Sequence, residues 1–395
     1  MKILVFTTQI HLLGGAEKLA IELVEGLNSQ PGIRADLLVM GPEDESSAVT
    51  TKQRLLNNGV HSVKFLERPH GTGGRGMLWF IFKLRHIIQT GGYDFIETSM
   101  PGPTILACWA TIGLQTQLVA GIHKIYHKTY QKKWSCKFLR LSVKINYRVQ
   151  FYAISSQAKQ SWIDYAQIEP ERVQVIYNSI TTEHFESERN GLNPEGIPDF
   201  NRSENKALYV GRLSKQKGLD TLINALGPIL EHEKVHLFIV GWNNLGSDTF
   251  YPGDGDLLER LLEQIKSNAW EDRIHFLGFR SDIPEIMNFV DIMVHPARDE
   301  GFGLVLAEAL AAGLPVVATN IGGIPETLSD TDSILVSPDD PAALRKAFLD
   351  ILHRSPEEAA LCRRKAQKRA EFFRPERRLA DMIALFRDLC DLKAK

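Results

Sequence analysis

Cysteine is scarce. Cys108, Cys136, Cys362 and Cys390 are the four in 395 residues, far apart and with no CxxC pair. This excludes a zinc ribbon or a disulfide-stapled scaffold and suits reduced thiols in a cytoplasm. Long apolar runs are missing as well. The opening MKILVFTTQ is too short for a secretory leader and reads as a strand, so secretion is not expected. The uncharged stretch from Thr98 to His123 is broken by Pro101, Pro103, Gln115 and Gln117, which leave too short an apolar centre to cross a bilayer, and it reads as a buried helix and strand. There is no strong net charge, since 46 Lys and Arg stand against 48 Asp and Glu, and no nucleic-acid partner is expected. No internal repeat, low-complexity tract or GxGxxG fingerprint occurs.

What is present is an alternation of short apolar runs with helical patterns from end to end, the mark of parallel sheets covered by helices. A first series has strands at Lys2–Thr7, Ala35–Met40, Val63–Leu66, Phe95–Thr98, Leu118–Ile122, Gln150–Ala153 and Val173–Ile176. The polar, glycine- and proline-bearing segment Glu183–Asn205 reads as a linker. A second series follows at Ala207–Val210, His236–Val240, Ile274–Leu277, Ile292–His295, Val316–Thr319 and Ile334–Val336. A last amphipathic helix, Glu376–Leu392, comes after the break at Pro375. The expected fold is α/β, with two Rossmann-like, doubly wound parallel-sheet domains. Residues 1–185 form the first domain and residues 186–375 the second. The glycine-dense Gly71–Gly76 reads as a loop.

The most informative stretch is VHPARDEGFGLVLAEALAAGLPVVATNIGGIPE, Val294 to Glu326. A buried strand ends in a loop carrying Glu300, Gly301 and Gly303, and ligands of open α/β sheets bind at such strand ends. The amides of Gly303, Leu304 and Val305 at the following helix start form a cup for an anion, and a diphosphate fits it. Between Leu304 and Ala312 every residue except Glu308 is Leu, Val or Ala, so no polar face exists to solvate that carboxylate. Either a structural donor or a polar ligand meets it, and one turn beyond the cup it is placed to accept hydrogen bonds from a ribose diol. Glu300 points toward whatever the diphosphate carries.

In the second domain KALYVG runs into RLSKQKGLD, placing Arg212 and Lys217 at a helix start. Cations there oppose the macrodipole, so an anion is the natural compensation, with a solvated cation pair as the bland reading. In the first domain Gly14 and Gly15 open a helix, either as a phosphate-accepting turn or as a plain tight turn. His123 follows the strand QLVAGI at its C-terminal edge, where an imidazole is structural or hydrogen-bonds a substrate hydroxyl. The triplets Asp254-Gly255-Asp256 and Asp330-Thr331-Asp332 read as ordinary turns, and no metal is expected.

Charge is unevenly distributed. Thr98 to Ile163 contains no Asp or Glu but nine Lys or Arg. Lys133, Lys137, Arg140, Lys144 and Arg148 run beside an apolar stripe of Trp134, Phe138, Leu141 and Ile145. Two readings stand open: the stripe covers the sheet and the cations are solvated, or the face meets anionic lipid or an anionic acceptor.

GGAEK near the start, VGRLSKQKG opening the second domain, and EGFGLVLAEALAAGLPVVATNIGGIPE with its two glutamates eight apart give nearly the whole chain a resemblance. It resembles the family-4 retaining glycosyltransferases of the GT-B fold. VQVIYNSITTEHF at the domain junction and the final helix look like that family too, which implies that the helix 376–395 crosses back to join the first domain. The resemblance implies a nucleoside-diphosphate sugar held mostly by the second domain and an acceptor mostly by the first. Arg212 and Lys217 would bind the diphosphate, Glu308 the ribose and Glu300 the sugar hydroxyls, with amides from Gly303, Leu304 and Val305. Gly15 would approach the donor, His123 would contact the transferred sugar, and the backbone around Arg280 would face the base. The acidic residue that follows this histidine in many members is Lys124 here, a departure bearing on acceptor chemistry. The implied reaction is metal-independent, cofactor-free front-face transfer with retention. Its donor would be a UDP- or GDP-sugar and its acceptor a glycan or lipid-linked glycan, in polysaccharide or lipopolysaccharide synthesis. The expected location is cytoplasmic or peripheral at the inner membrane face. A sugar-nucleotide epimerase and a non-catalytic sugar-nucleotide-binding subunit are the alternatives.

Overall fold

The computed structural model describes residues 1–10, 15–42, 46–67, 76–127, 134–185, 194–197, 204–241 and 256–394. Gly14, the Gly71–Gly76 loop apart from Gly76, Lys133, Asp254, Gly255 and most of the expected linker lie outside them. The chain divides into a unit of 1–179 with 375–395 and a unit of 180–374.

In the first unit the elements run β1 (Lys2–Thr7), α1 (Gly15–Asn28), β2 (Arg34–Val39), α2 (Ser46–Asn57), β3 (Val63–Phe65), α3 (Gly76–Gly91), β4 (Phe95–Thr98) and α4 (Pro101–Ala110). They continue with β5 (Gln117–Ile122), α5 (Trp134–Ile145), β6 (Gln150–Ala153), α6 (Ser156–Ala166) and β7 (Val173–Val175). All strand pairs are parallel, in the order β3-β2-β1-β4-β5-β6-β7. KILVFT in β1 is apolar on both faces because helices cover both. The reversal of direction between β1 and β4, with right-handed crossovers, puts α1 and α2 on one face and α3 to α6 on the other. The core under α1 and α2 also takes in Met382, Ile383, Leu385, Phe386 and Leu389 from the C-terminal helix. That helix, Pro375–Ala394, uses its proline as the first helical residue, where a missing N–H costs nothing.

The second unit contains β8 (Asn205–Val210), α7 (Leu219–Leu226), β9 (Val235–Val240), α8 (Leu257–Ser267), β10 (Ile274–Gly278), α9 (Ile283–Phe289), β11 (Ile292–His295), α10 (Leu304–Ala311), β12 (Val316–Thr319), α11 (Ile324–Thr327) and β13 (Ile334–Val336). Helices α12 (Pro341–Leu352) and α13 (Pro356–Ala370) follow, and α14 is the C-terminal helix of the first unit. The sheet is again all parallel, β10-β9-β8-β11-β12-β13, reversing between β8 and β11. Ser355 and Glu358 close a capping box at α13, with Pro356 at its first position.

Every expected strand forms, with ends shifted by at most two residues. The basic helix is different. Its buried side is Cys136, Leu139, Ser142 and Val143, whereas Leu141 and Ile145 of the expected stripe are 50% and 44% exposed. Leu141 and Ile145 therefore do not cover the sheet, while Phe138 is half-buried against Trp109. Leu139 and Val143, with Cys136 and Ser142, pack inward instead, and Ser142 Oγ accepts from Trp109 Nε1 (2.9 Å) and donates to the Phe138 carbonyl (2.8 Å). Among the described residues no helix is long and apolar enough to cross a membrane.

Candidate active site

In the second unit Arg212, Lys217, Arg298 and Glu300 lie on the segments that leave the C-terminal ends of β8 and β11, the two strands at the reversal of the sheet. Open parallel sheets leave a crevice there, because neighbouring connections depart to opposite faces. β8 leads into a one-turn 3₁₀ helix, Lys215–Lys217, and Gly218 then opens α7. Gly218 has φ +71°, and a Cβ there would stand 1.9 Å from the Pro296 carbonyl oxygen, so the two loops touch only because this residue is glycine.

Arg298 fastens them further. Its guanidinium donates to Asp220 Oδ1 (2.7 Å) and Oδ2 (3.0 Å), to Thr221 Oγ1 (3.1 Å), to Asp339 (2.5 Å) and to the Lys215 carbonyl, while its amide donates to the Gln216 carbonyl (2.8 Å). Gln216 in turn donates to Asp299 (3.1 Å). Planar, charged forks of this kind fix geometry as well as adding attraction.

The result is a contact between Lys217 Nζ and Glu300 Oε2 at 2.6 Å, with His295 Nε2 at 3.3 Å from the same oxygen. Burial would raise the Glu300 pKa, but the Lys217 charge and the His295 hydrogen bond outweigh it and hold the carboxyl well below the usual carboxylate range. Burial keeps the His295 pKa below the ordinary histidine value despite Glu300. A neutral imidazole donating through Nε2 leaves Nδ1 a bare acceptor, and Nδ1 is buried with no hydrogen-bond partner. The Glu300 backbone is held by Gly323, whose amide donates to its carbonyl (3.1 Å); a Cβ on Gly323 would lie 2.3 Å from the Gly301 oxygen.

Gly303 follows at φ +87° and starts α10 without a side-chain cap. The helical ladder opens with Leu306 and Ala307 donating to the Gly303 carbonyl, which leaves the amides of Leu304 and Val305 ahead of it. Leu304, Val305 and Glu308 form the half-open face of α10, and its other residues up to Ala311 are buried. Glu308 is thus not enclosed by apolar side chains as its sequence surroundings imply.

Lys217 has its charge met inside the protein by Glu300. Arg212 is exposed, with its guanidinium donating to Gln216 (2.5 Å), and its carbonyl accepts from the buried Tyr209 hydroxyl (2.8 Å). Arg280 is forked onto Asp282 two residues on (2.7 and 2.5 Å) in the loop after β10. His295 and Arg298 were missed by sequence reasoning. The signal for His295 was there, as the lone polar side chain closing a buried apolar strand five residues before Glu300.

In the first unit His123 lines a cavity of about 300 Å³ with Ala16, Ser99, Met100, Tyr126 and Trp162. Ala16 brings the exposed Gly15, at the start of α1, to the edge of the same cavity. Burial, and secondarily the Arg378 charge, push the His123 pKa down to about 3, so the ring is neutral, and its Nε2 has no hydrogen-bond partner. It meets Tyr152 edge-on at 5.9 Å, and Gly121 leaves room for both rings, since a Cβ there would lie 2.6 Å from Tyr152 and 2.7 Å from His123. Tyr152 donates to the buried Glu97 (2.7 Å), as does Ser99 (2.7 Å). Burial raises the Glu97 pKa. Lys124 lies over the Tyr126 ring at 4.9 Å. Among the described residues no cluster of three or more His, Cys, Asp or Glu is placed to hold a metal ion.

Two parallel-sheet units of this topology define the GT-B class. The Anabaena protein HepE solved with UDP has it, aligning at TM-score 0.78 and 23% identity over 98% of this chain and all of that one. A sucrose-phosphate synthase from Thermosynechococcus elongatus aligns at 0.76 and 20%, covering 99% of each chain. The chain belongs to the family-4 glycosyltransferases: the model described as Glycosyl transferases group 1 matches residues 195–369, and that described as Glycosyltransferase Family 4 matches residues 13–184. It is 31% identical over 198 residues to the lipopolysaccharide glucosyltransferase WaaG of Escherichia coli, covering 48% of this chain and 49% of that one. It is 30% identical over 163 residues to the N-acetyl-alpha-D-glucosaminyl L-malate synthase of Bacillus anthracis, covering 41% and 39%. The matched stretches thus span about half or less of these curated relatives.

Proposed function

We propose that the protein transfers a sugar from a nucleoside-diphosphate sugar to a glycan or lipid-linked glycan, with retention at the anomeric carbon. The role suggested is in lipopolysaccharide or other surface-polysaccharide synthesis. The observation that carries this reading is the Lys217–Glu300–His295 contact beside the amides of Leu304 and Val305.

An ammonium has three donors and Lys217 gives one to Glu300, so two remain for a diphosphate that also takes the α10 amides and Arg212. Charge building on the departing diphosphate is stabilised by these fixed donors in the way a divalent ion stabilises it elsewhere. Glu308, on the same half-open face, accepts from the ribose, and the backbone near Arg280 lies along the base. Glu300 is anionic over the whole working pH range and orients sugar hydroxyls. Neutral His123 and the start of α1 at Gly15 serve the sugar and acceptor. The leaving phosphate takes the acceptor proton, so the residues position groups and need no covalent intermediate. Resemblance to WaaG, a lipopolysaccharide glucosyltransferase, supports the acceptor class. The basic face of α5, through Lys137, Arg140 and Lys144, meets the anionic inner surface of a membrane.

Glu300→Gln tests the reading. Transfer is expected to fall about a hundredfold or more, while stabilisation by UDP or GDP, read as a thermal shift, persists. Unchanged turnover would remove the role given to Glu300. Conversion of the sugar nucleotide without acceptor would point to an epimerase, and binding with no turnover in the parent to a non-catalytic subunit.

A further inference from the structure

Helices α3, α4 and α5 lie side by side, α4 packed between the other two. Arg85 of α3 donates to the carbonyls of Ala110 (3.0 Å) and Ile112 (2.7 Å) at the end of α4. Trp109 of α4 donates to Ser142 of α5 and stacks on Phe138 at 6.0 Å. The three helices contain no Asp or Glu, whereas α3 carries Lys83 and Arg85 and α5 carries Lys137, Arg140 and Lys144. Large apolar side chains stand out from the same layer. Leu78 and Phe82, one turn apart on α3, are 58% and 68% exposed, and Leu141 and Ile145 on α5 and Ile112 and Tyr147 in the turns after α4 and α5 are exposed too.

Large exposed aliphatic and aromatic side chains on neighbouring helices mark a surface that is covered in use. Charge selects the occupant. A second copy of this chain would bring one carboxylate-free cationic layer against another, and like charges so placed repel. A surface that takes apolar side chains into its interior and offers negative charge at the same level is an anionic lipid leaflet. Lysine and arginine suit that boundary, because their stems follow the apolar depth and their heads remain in the headgroup layer.

We infer that α3, α4 and α5 form one membrane-docking face on which Leu78 and Phe82 of α3 enter the acyl boundary while the α5 cations hold anionic headgroups. The inference extends the α5 contact proposed above and does not depend on sugar transfer. It places the apolar anchor on α3, which carries no pattern of basic repeats and which charge alone would not single out.

The test is sedimentation of the full chain with vesicles of phosphatidylcholine alone and with added phosphatidylglycerol, at low and near-physiological salt. The parent is expected to pellet with the anionic vesicles only, more weakly as salt rises, since each cation near an anionic surface contributes about fivefold. Leu78→Ser with Phe82→Ser is expected to lower the bound fraction at the higher salt at least tenfold without shifting the melting temperature, both side chains being exposed. Lys137→Glu with Lys144→Glu is expected to abolish the salt-sensitive binding. Loss confined to the charge pair would leave α5 as the contact and overturn the three-helix face; loss confined to the α3 pair would remove the α5 contact. No vesicle binding by the parent, or a concentration-dependent dimer in solution broken by the α3 pair, would overturn it outright.

Discussion

At the scale of single residues, the candidate site is positioned by positions where no other side chain fits. Gly218 lets the β8 loop press on Pro296, and this brings Lys217 within 2.6 Å of Glu300. Gly218→Ala must both leave a left-handed backbone at φ +71° and move a carbonyl now 1.9 Å from the added carbon. A loss of about 2–4 kcal/mol in unfolding free energy is expected, together with weaker donor binding, checked by denaturant titration and thermal shift on one preparation. A stability change under about 0.5 kcal/mol would mean the loops part without cost. The glycines of this region were legible as places of close approach, but their partners were not. Pro296 meets Gly218 across 78 residues of sequence, and periodicity carries no information about such a pair.

At the scale of elements, strands were legible because each is a short apolar run bounded by turn residues. The orientation of α5 was not. Its hydrophobic pattern admits two stripes, and hydrogen bonds from α4 to Ser142 and from Asn146 to Cys108 and Thr111 decide between them. Another pairing invisible in the sequence links β8, β9 and β10 at their N-terminal ends. His236 Nδ1 and His275 Nε2 are 2.9 Å apart, and His236 Nε2 is 2.8 Å from Glu204, which also takes Arg273.

Burial holds both histidines below the ordinary value, His275 down to about 4, with Arg273 nearby and the Glu204 bond only partly offsetting this at His236. Their folded pKa values lie below those of the unfolded chain, so the unfolded state binds more protons in between. Stability is therefore full above about pH 6.5 and is lost as the pH falls toward 4. The melting temperature should drop across that window, and His275→Gln should flatten the drop. An equal slope in variant and parent would assign the acid sensitivity to other groups.

At the scale of the whole molecule, the two series of strands were readable as two sheets, since each contains the full alternation needed for a doubly wound core. Allocation of the last helix rested on resemblance alone, and the packing supplies the physical reason. Met382, Ile383, Leu385, Phe386 and Leu389 are buried in the core of the first unit. Arg378, buried beside them, donates to the Leu19 carbonyl (3.1 Å), which binds α14 to α1 by polar as well as apolar contact. Five such side chains contribute roughly 8–15 kcal/mol at 1.5–3 kcal/mol each, comparable to the whole stability of a domain. Ending the chain after Arg374 should therefore unfold the first unit, leaving Lys217, Glu300, His295 and α10 on their own sheet. The truncated protein is expected to lose part of its calorimetric unfolding enthalpy while a transition remains that UDP or GDP shifts upward, by about 2.7 kcal/mol at a hundred times the dissociation constant. Loss of that ligand-sensitive transition would make the second unit dependent on α14, and survival of the full enthalpy would show that the first unit folds without it.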